Sequence, residues 1–404
     1  MPNVFQSATS GLANLKNFYQ GPMADQFNND MPIYRGAEKG KESWSGLQVV
    51  RPLRVRRNNG IGATSDGGNL PAIGRQTMVQ AIIAAKYNYL RFGITGVMIK
   101  ASKSNDGSFE RMAGYELQQG YEDLKSDCNR QLSWDGTGYL ARLSAAAVAT
   151  PTITVQGREG TTEEGDKFLD VGMIVDIVTA AGVYKAQGVT VNSIPTSGTT
   201  ATLTLDQAVT AASGDYLIRS GSLNQEVQGL LYALDGASST IYSVDRSSYP
   251  SYKGNVDDNS AGQLTLDAMQ AVYNKGLRRG GAKYSACFTD YDSHRMYQKL
   301  LTADKRYVNT TKGDGGFAAK DQSFLEFNGI PIVPDKDMPR RFTWLDQSAI
   351  KKYVLAEMEF ADETGSMYLA QTDVDAFEVR VRMFFNLFNE QPSKCAVLKN
   401  YISP

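Results

Sequence analysis

The run "LQVVRPLRVRR", residues 47–57, narrows what this chain can fold into. Read as a strand, it puts Arg51, Leu53, Val55 and Arg57 on one face and Val50, Arg54 and Arg56 on the other. Both faces then carry charge. Such a strand does not belong inside a core, and Pro52, which lacks an N–H, pushes it to a sheet edge. The expectation is a protruding hairpin. The following "NNGIGATSDGGNLP" is rich in the residues of turns. A return strand is predicted from Gln76 to about Tyr89, along which Val79, Ala81, Ile83, Ala85, Tyr87 and Tyr89 alternate.

A glycine-rich loop after basic residues also suggests phosphate binding. That chemistry needs backbone N–H groups stacked at a rigid helix start. Here Gly60 and Gly62 are followed by Thr64-Ser65, with no third glycine in phase and no Lys-Ser/Thr pair. The loop reads as a flexible tip. Arg51, Arg54, Arg56 and Arg57 lack the interleaved aromatics of a single-strand nucleic-acid groove. A guanidinium grips carboxylates in a two-pronged way, so an acidic protein surface is the better partner.

The charge distribution supports this. Net charge is −1, but residues 1–104 hold 13 Lys/Arg against 5 Asp/Glu, and the remainder holds 29 against 38. A basic first third and an acidic body attract each other, within one chain or between chains. The clearest helix runs over residues 108–132, with Ala113, Leu117, Tyr121, Leu124, Cys128 and Leu132 in one stripe. It would be about 37 Å long. Its other face carries Glu116, Glu122, Asp123 and Asp127, the expected counterpart of the arginines. Gly114 and Gly120 each cost a helix about 1 kcal/mol relative to Ala, which points to close packing against another backbone.

Residues 150–220 are short Val/Ile/Thr runs split by turns and predict a small all-β module of about six strands. From residue 222 the pattern is mixed α/β. Near the end, Phe377, Val379, Val381 and Met383 alternate with Glu378, Arg380 and Arg382, as in a long half-buried strand.

No catalytic cluster can be assembled. His294 is the only histidine. With Asp290 and Asp292 it suggests a metal site, but one histidine with no second His or Cys nearby is poor for zinc, and Thr289 or Asp290 reads as a helix N-cap. Cys128, Cys287 and Cys395 form no C-x-x-C pair and read as buried thiols of a reducing compartment. The acidic pairs Glu163-Glu164 and Asp257-Asp258 read as solvated turns. No cofactor, metal or enzymatic activity is expected. The first residues lack a secretory pattern, and Lys86 and Arg91 interrupt the best apolar run, so a soluble cytoplasmic protein is expected.

The order of these parts resembles one family, the major capsid proteins of tailed double-stranded DNA bacteriophages with the Hong Kong 97-type fold. "DGTGYLARL" after the long helix, "GSLNQEVQGLLYAL" with "IYSVDRSSYPSYKGNV", and "FNGIPIVPDKDMPRRFTWLDQSAI" carry the likeness, which spans nearly the whole chain. The resemblance implies an α+β fold. It has an N-terminal arm (1–30), an extended loop (31–92), and a spine helix with part of a peripheral domain (93–149). An inserted β-rich domain (150–220), an axial domain (221–345) and C-terminal strands of the peripheral domain (346–404) follow. It also implies hexamers and pentamers closing an icosahedral shell around double-stranded DNA, with the loop of one subunit lying over its neighbour. Expected partners are further copies, a separate scaffolding protein, a portal, a decoration protein and packaged DNA without sequence-specific contacts, with no membrane. The expected location is the virion, after assembly in the host cytoplasm. The alternatives are a bacterial nanocompartment shell and, in another class, an enzyme or carbohydrate-binding protein.

Overall fold

The long alternating strand near the C-terminus organises one half of the molecule. Ala376–Asn389 buries Val379, Val381, Met383 and Phe385, and pairs antiparallel with Ile350–Phe360 and with Lys86–Thr95 in a five-stranded sheet. This is a computed structural model; it describes residues 31–95, 106–160, 163–234, 239–303, 310–312, 323–361, 369–370 and 374–404. The expected arm, 1–30, lies outside the described residues.

A 28-residue helix, Asp106–Ser133, packs on that sheet. At 1.5 Å per residue it is about 42 Å long. Leu117, Tyr121, Leu124, Cys128 and Leu132 are buried in one cluster with the inward residues of the long strand. Ala113, Gly114 and Glu116 lie on the stretch whose side chains are outside the description. Gly120 explains itself: a Cβ there would come within 3.0 Å of Leu90 on the sheet, so the absent side chain lets helix and strand approach closely.

The Val/Ile/Thr runs form a closed barrel of six strands, in the order Tyr216–Arg219, Tyr139–Leu143, Ala147–Gly157, Thr200–Ala211, Tyr184–Thr196 and Ile174–Val178. It begins at Tyr139, earlier than the composition shift at 150. The reason is closure: Tyr139–Leu143 pairs both Ala147–Gly157 and Tyr216–Arg219. The barrel interior is its own aliphatic cluster, including Leu140, Ile153, Val155, Ile177, Val191, Leu203 and Leu217.

A seven-stranded sheet forms the other half, flanked by Leu266–Gly280 and Tyr291–Ala303. The first of these helices is capped at both ends. Thr265 accepts the Ala268 N–H, and Gly281 takes the left-handed conformation at φ 60°. The block 346–404 does not stay together. Ala396–Ile402 pairs with Arg341–Leu345 and Asn255–Gln263 in the seven-stranded sheet, while Ile350–Phe360 and Ala376–Asn389 lie in the five-stranded one. The three-residue helix at Pro392–Lys394 makes the crossing.

The return strand is divided as well. Thr77–Ala84 pairs with Gln48–Arg56 as a hairpin, whereas Lys86–Thr95 leaves it and joins the five-stranded sheet. The inward phase flips at this break: Ala81, Ile83 and Ala85 are buried, then Asn88. Tyr87 and Tyr89 therefore point outward, packed edge-on against Phe384.

Phe385 is fully buried and meets the Tyr34 ring edge-on at 5.4 Å. Phe385→Ala should destabilise the unassembled chain by about 3–5 kcal/mol. Urea unfolding measures this, and a loss below about 1 kcal/mol would contradict the packing described.

Candidate functional site

The arginine strand is anchored on one face and presented on the other. Val49, Leu53 and Val55, with Ala81 and Ile83 from the partner strand, bury against Tyr242, Tyr252, Tyr353 and Phe388 of the chain's own body. The expectation that neither face could be buried is therefore corrected. What makes burial possible is local neutralisation of Arg51, the charge on that face. Arg51 pairs with Glu42 and, at 2.9 Å, with Glu390. Tyr353 donates its hydroxyl to Glu42 at 2.6 Å, and Lys351 reaches Glu390 at 3.3 Å. Burial alone would raise the Glu390 carboxyl, but Arg51 and Lys351 together hold it below its usual value. Arg51 is thus an internal clamp and not a contact offered to a neighbour.

Arg54, Arg56 and Arg57 are exposed and make no ion pair with another described residue. With Arg279, Ser251, Gln391 and Ser393 they line a cleft of about 460 Å³. Ser251 donates its hydroxyl to the Val55 carbonyl at 2.8 Å, fixing the strand beside that cleft. Beyond it the loop carries Ile61, Leu70 and Ile73, each more than four-fifths exposed. Gly60 and Gly62 lie in that loop, and the chain continues into the strand Thr77–Ala84, not into a helix N-terminus. The geometry of a phosphate cradle is absent among the described residues.

The acidic helix face divides in the same way. Glu122 pairs with Lys125 at 2.6 Å. Asp127 is bound by Arg130 at 3.0 Å and Arg219 at 3.5 Å. Burial would raise its carboxyl, but those two guanidiniums hold it below the ordinary range. Arg130 is itself enclosed and also donates to buried Glu226. Only Asp123 of the described acidic residues on this face stays exposed. It borders the cleft against Tyr87, Tyr89 and Gln225. Glu116 lies outside the described side chains. Sequence reasoning missed Glu42, Glu390, Glu226 and Arg130. Each sits in an ordinary polar context, and only the long-range pairing gives it a role.

The remaining candidates are engaged in structural contacts or are buried. Asp290 accepts the Ser293 N–H at 3.2 Å as a helix cap, and Asp292 pairs with Arg295 at 3.1 Å. His294 is half-buried, which lowers its pKa. Among the described residues no three His, Cys, Asp or Glu could hold a metal. The three cysteines are free and buried, and burial raises each thiol. Two expectations are corrected. Glu163 is buried rather than solvated, and Asp257-Asp258 lie on the strand Asn255–Gln263 rather than in a turn. No described helix is long and apolar enough to cross a membrane.

The division between clamp and presented face predicts unequal effects. Arg51→Met should lower stability by about 1–3 kcal/mol, because it leaves Glu42 with only the Tyr353 hydroxyl and Glu390 with only Lys351. Arg54→Gln should stay within about 0.5 kcal/mol. Urea unfolding of both variants checks this, and equal losses would contradict the division.

No family model matches the chain, and no curated protein matches it. Solved structures do. The capsid asymmetric unit of cyanophage A-1(L) is 13% identical, with 99% of this chain and 95% of that one covered at a TM-score of 0.55. The holo-SrpI encapsulin complex of Synechococcus elongatus PCC 7942 is 10% identical over 93% and 89%, with a TM-score of 0.48. The capsid of a native GTA particle is 9% identical over 92% and 90%, with a TM-score of 0.49. The assignment rests on the first: the likeness, over almost the full length of both chains, gives this chain the fold of a phage capsid protein.

Proposed function

We propose that the chain is a structural capsid subunit that self-assembles, as hexamers and pentamers, into a closed icosahedral shell around double-stranded DNA. One observation carries the reading beyond the fold. The hairpin is held at its base by Arg51, while Arg54, Arg56 and Arg57 stay exposed and make no ion pair with another described residue, although Glu390, engaged by Arg51 and Lys351, borders their cleft. Three like charges on one edge repel each other unless an acidic surface meets them. The rest of the chain supplies such a surface, with 38 Asp/Glu against 29 Lys/Arg. A contact in which one copy's hairpin meets a different surface of the next is heterologous, and heterologous contacts close into rings or shells. Asp123, the exposed carboxylate on the described part of the long helix, is the candidate for it. A scaffolding protein, a portal and a decoration protein are the further partners of such a subunit. An enzymatic role finds no support in Asp290, Asp292 or His294, which serve as cap, ion-pair partner and half-buried helix residue.

The double variant Arg54→Glu/Arg56→Glu should fold with an unchanged melting temperature but form few or no particles. Sedimentation and negative-stain imaging, with any scaffolding partner supplied, read the result. Normal particles from that variant would overturn the contact. The contents of wild-type particles test the cargo: DNA is expected, and shells filled only with protein would replace the phage reading with a nanocompartment.

A further inference from the structure

Asn-Gly occurs twice in the chain, at Asn59-Gly60 in the hairpin loop and at Asn328-Gly329. An asparagine followed by glycine is chemically exposed. With no Cβ in the way, the glycine backbone nitrogen can reach the asparagine Cγ. The structure places the two copies of this dipeptide in opposite settings.

Asn328 is held. Its backbone takes the left-handed conformation, φ 54°, in the turn joining the strands Ser323–Phe327 and Ile330–Pro334, which pair at Phe327 and Ile330. Its Nδ2 donates to the Gln270 Oε1 at 2.8 Å. Cyclisation there must break that bond and distort a two-residue turn. Asn59 is exposed, lies outside any strand or helix, and makes no side-chain hydrogen bond to another described residue. The Gly60 N–H donates at 2.8 Å to the Oδ1 of exposed Asn58, so no sheet hydrogen bond has to open. Glycine is also required at 60. A Cβ there would come within 2.7 Å of the Gly74 nitrogen, and one on Gly74 would meet the Gly60 nitrogen, because the two ends of the loop approach backbone to backbone. The neck of the loop thus demands the very residue that makes Asn59 reactive.

We propose that Asn59 is a site of spontaneous deamidation, and that the product limits how long an unassembled subunit stays competent to assemble. The Gly60 nitrogen attacks the Asn59 Cγ, the bond from Cγ to the side-chain nitrogen breaks, and ammonia leaves with the proton from Gly60. Water then opens the five-membered imide. Attack at Cγ gives aspartate, and attack at the main-chain carbonyl gives isoaspartate. No oxidant or cofactor takes part. Either product carries a carboxylate where the amide was neutral, just beyond exposed Arg56 and Arg57. A carboxylate within reach of those guanidiniums competes with the acidic surface they would meet on a second copy. Isoaspartate also adds a methylene to the main chain where the loop ends approach. The loss of assembly rests on the proposed contact between subunits; the conversion itself does not.

Peptide mass spectrometry on the full unassembled chain, aged in heavy-oxygen water at neutral pH, tests the site. Asn59 should convert about tenfold faster than Asn328, since freeing Asn328 costs on the order of one hydrogen bond. Asn58 and Asn69, exposed in the same loop but followed by Asn59 and Leu70, should remain amides over that time. Conversion of Asn328 at the rate of Asn59 or faster would overturn the site, as would conversion of Asn58 and Asn69 in step with Asn59. For the consequence, Asn59→Asp carries the charge of the product, and Asn59→Gln cannot form the five-membered imide. Asn59→Asp should melt like the wild type but yield fewer particles than Asn59→Gln by sedimentation. Equal yields, while Arg54→Glu/Arg56→Glu still blocks assembly, would overturn the limit on competence and leave the contact standing. Equal yields from all three variants would overturn both.

Discussion

The pairing of half-buried Arg51 with Glu42 and Glu390 is the interaction on which the arrangement of the hairpin depends. An arginine on the inner face of a strand is costly unless its charge is met. Here it is met from two distant parts of the chain, one before the hairpin and one after the long C-terminal strand. The apolar residues beside it, Val49, Leu53 and Val55, can then pack on Tyr242, Tyr353 and Phe388. Removing the clamp would leave a strand with charge on both faces and nowhere in its own chain to lie. With the clamp in place, the opposite face presents Arg54 and Arg56 outward, and Arg57 follows, exposed, just past the end of the strand.

The barrel follows a different logic. Its aliphatic cluster is separate from those of the body, so its fold does not depend on where it sits. Its contacts with the body include ion pairs, Arg158 to Asp135 with the guanidinium 4.6 Å from the Trp134 ring, Arg219 to Asp127 and Arg341 to Glu159, together with the edge-on packing of Phe168 on Trp134. Such ion pairs respond to proton and salt concentration in a way that apolar packing does not.

Much of the fold was legible in the sequence. The helix stripe from Leu117 to Leu132, the alternation at Phe377–Met383 and the six barrel strands are local patterns, and local patterns fix local structure. What was not legible depends on pairing between distant residues. No periodicity shows that Ala396–Ile402 returns to the other sheet, that the strand phase flips at Ala85, or that Glu163 is buried. The candidate site was half legible for the same reason. The four arginines and the acidic face were identifiable by type and spacing, but Arg51, Glu122 and Asp127 are neutralised by Glu390, Lys125 and Arg219, whose roles only the tertiary structure assigns.

The central claim is that the exposed arginines of the hairpin serve a second copy of the chain. A structure of the assembled particle at side-chain resolution tests it most directly. The account predicts guanidinium nitrogens of Arg54, Arg56 or Arg57 within about 4 Å of carboxylate oxygens on an adjacent subunit, with Arg51 still held by its own Glu42 and Glu390. All three arginines facing open solvent in the particle, or Arg51 exchanged to a neighbour, would contradict it.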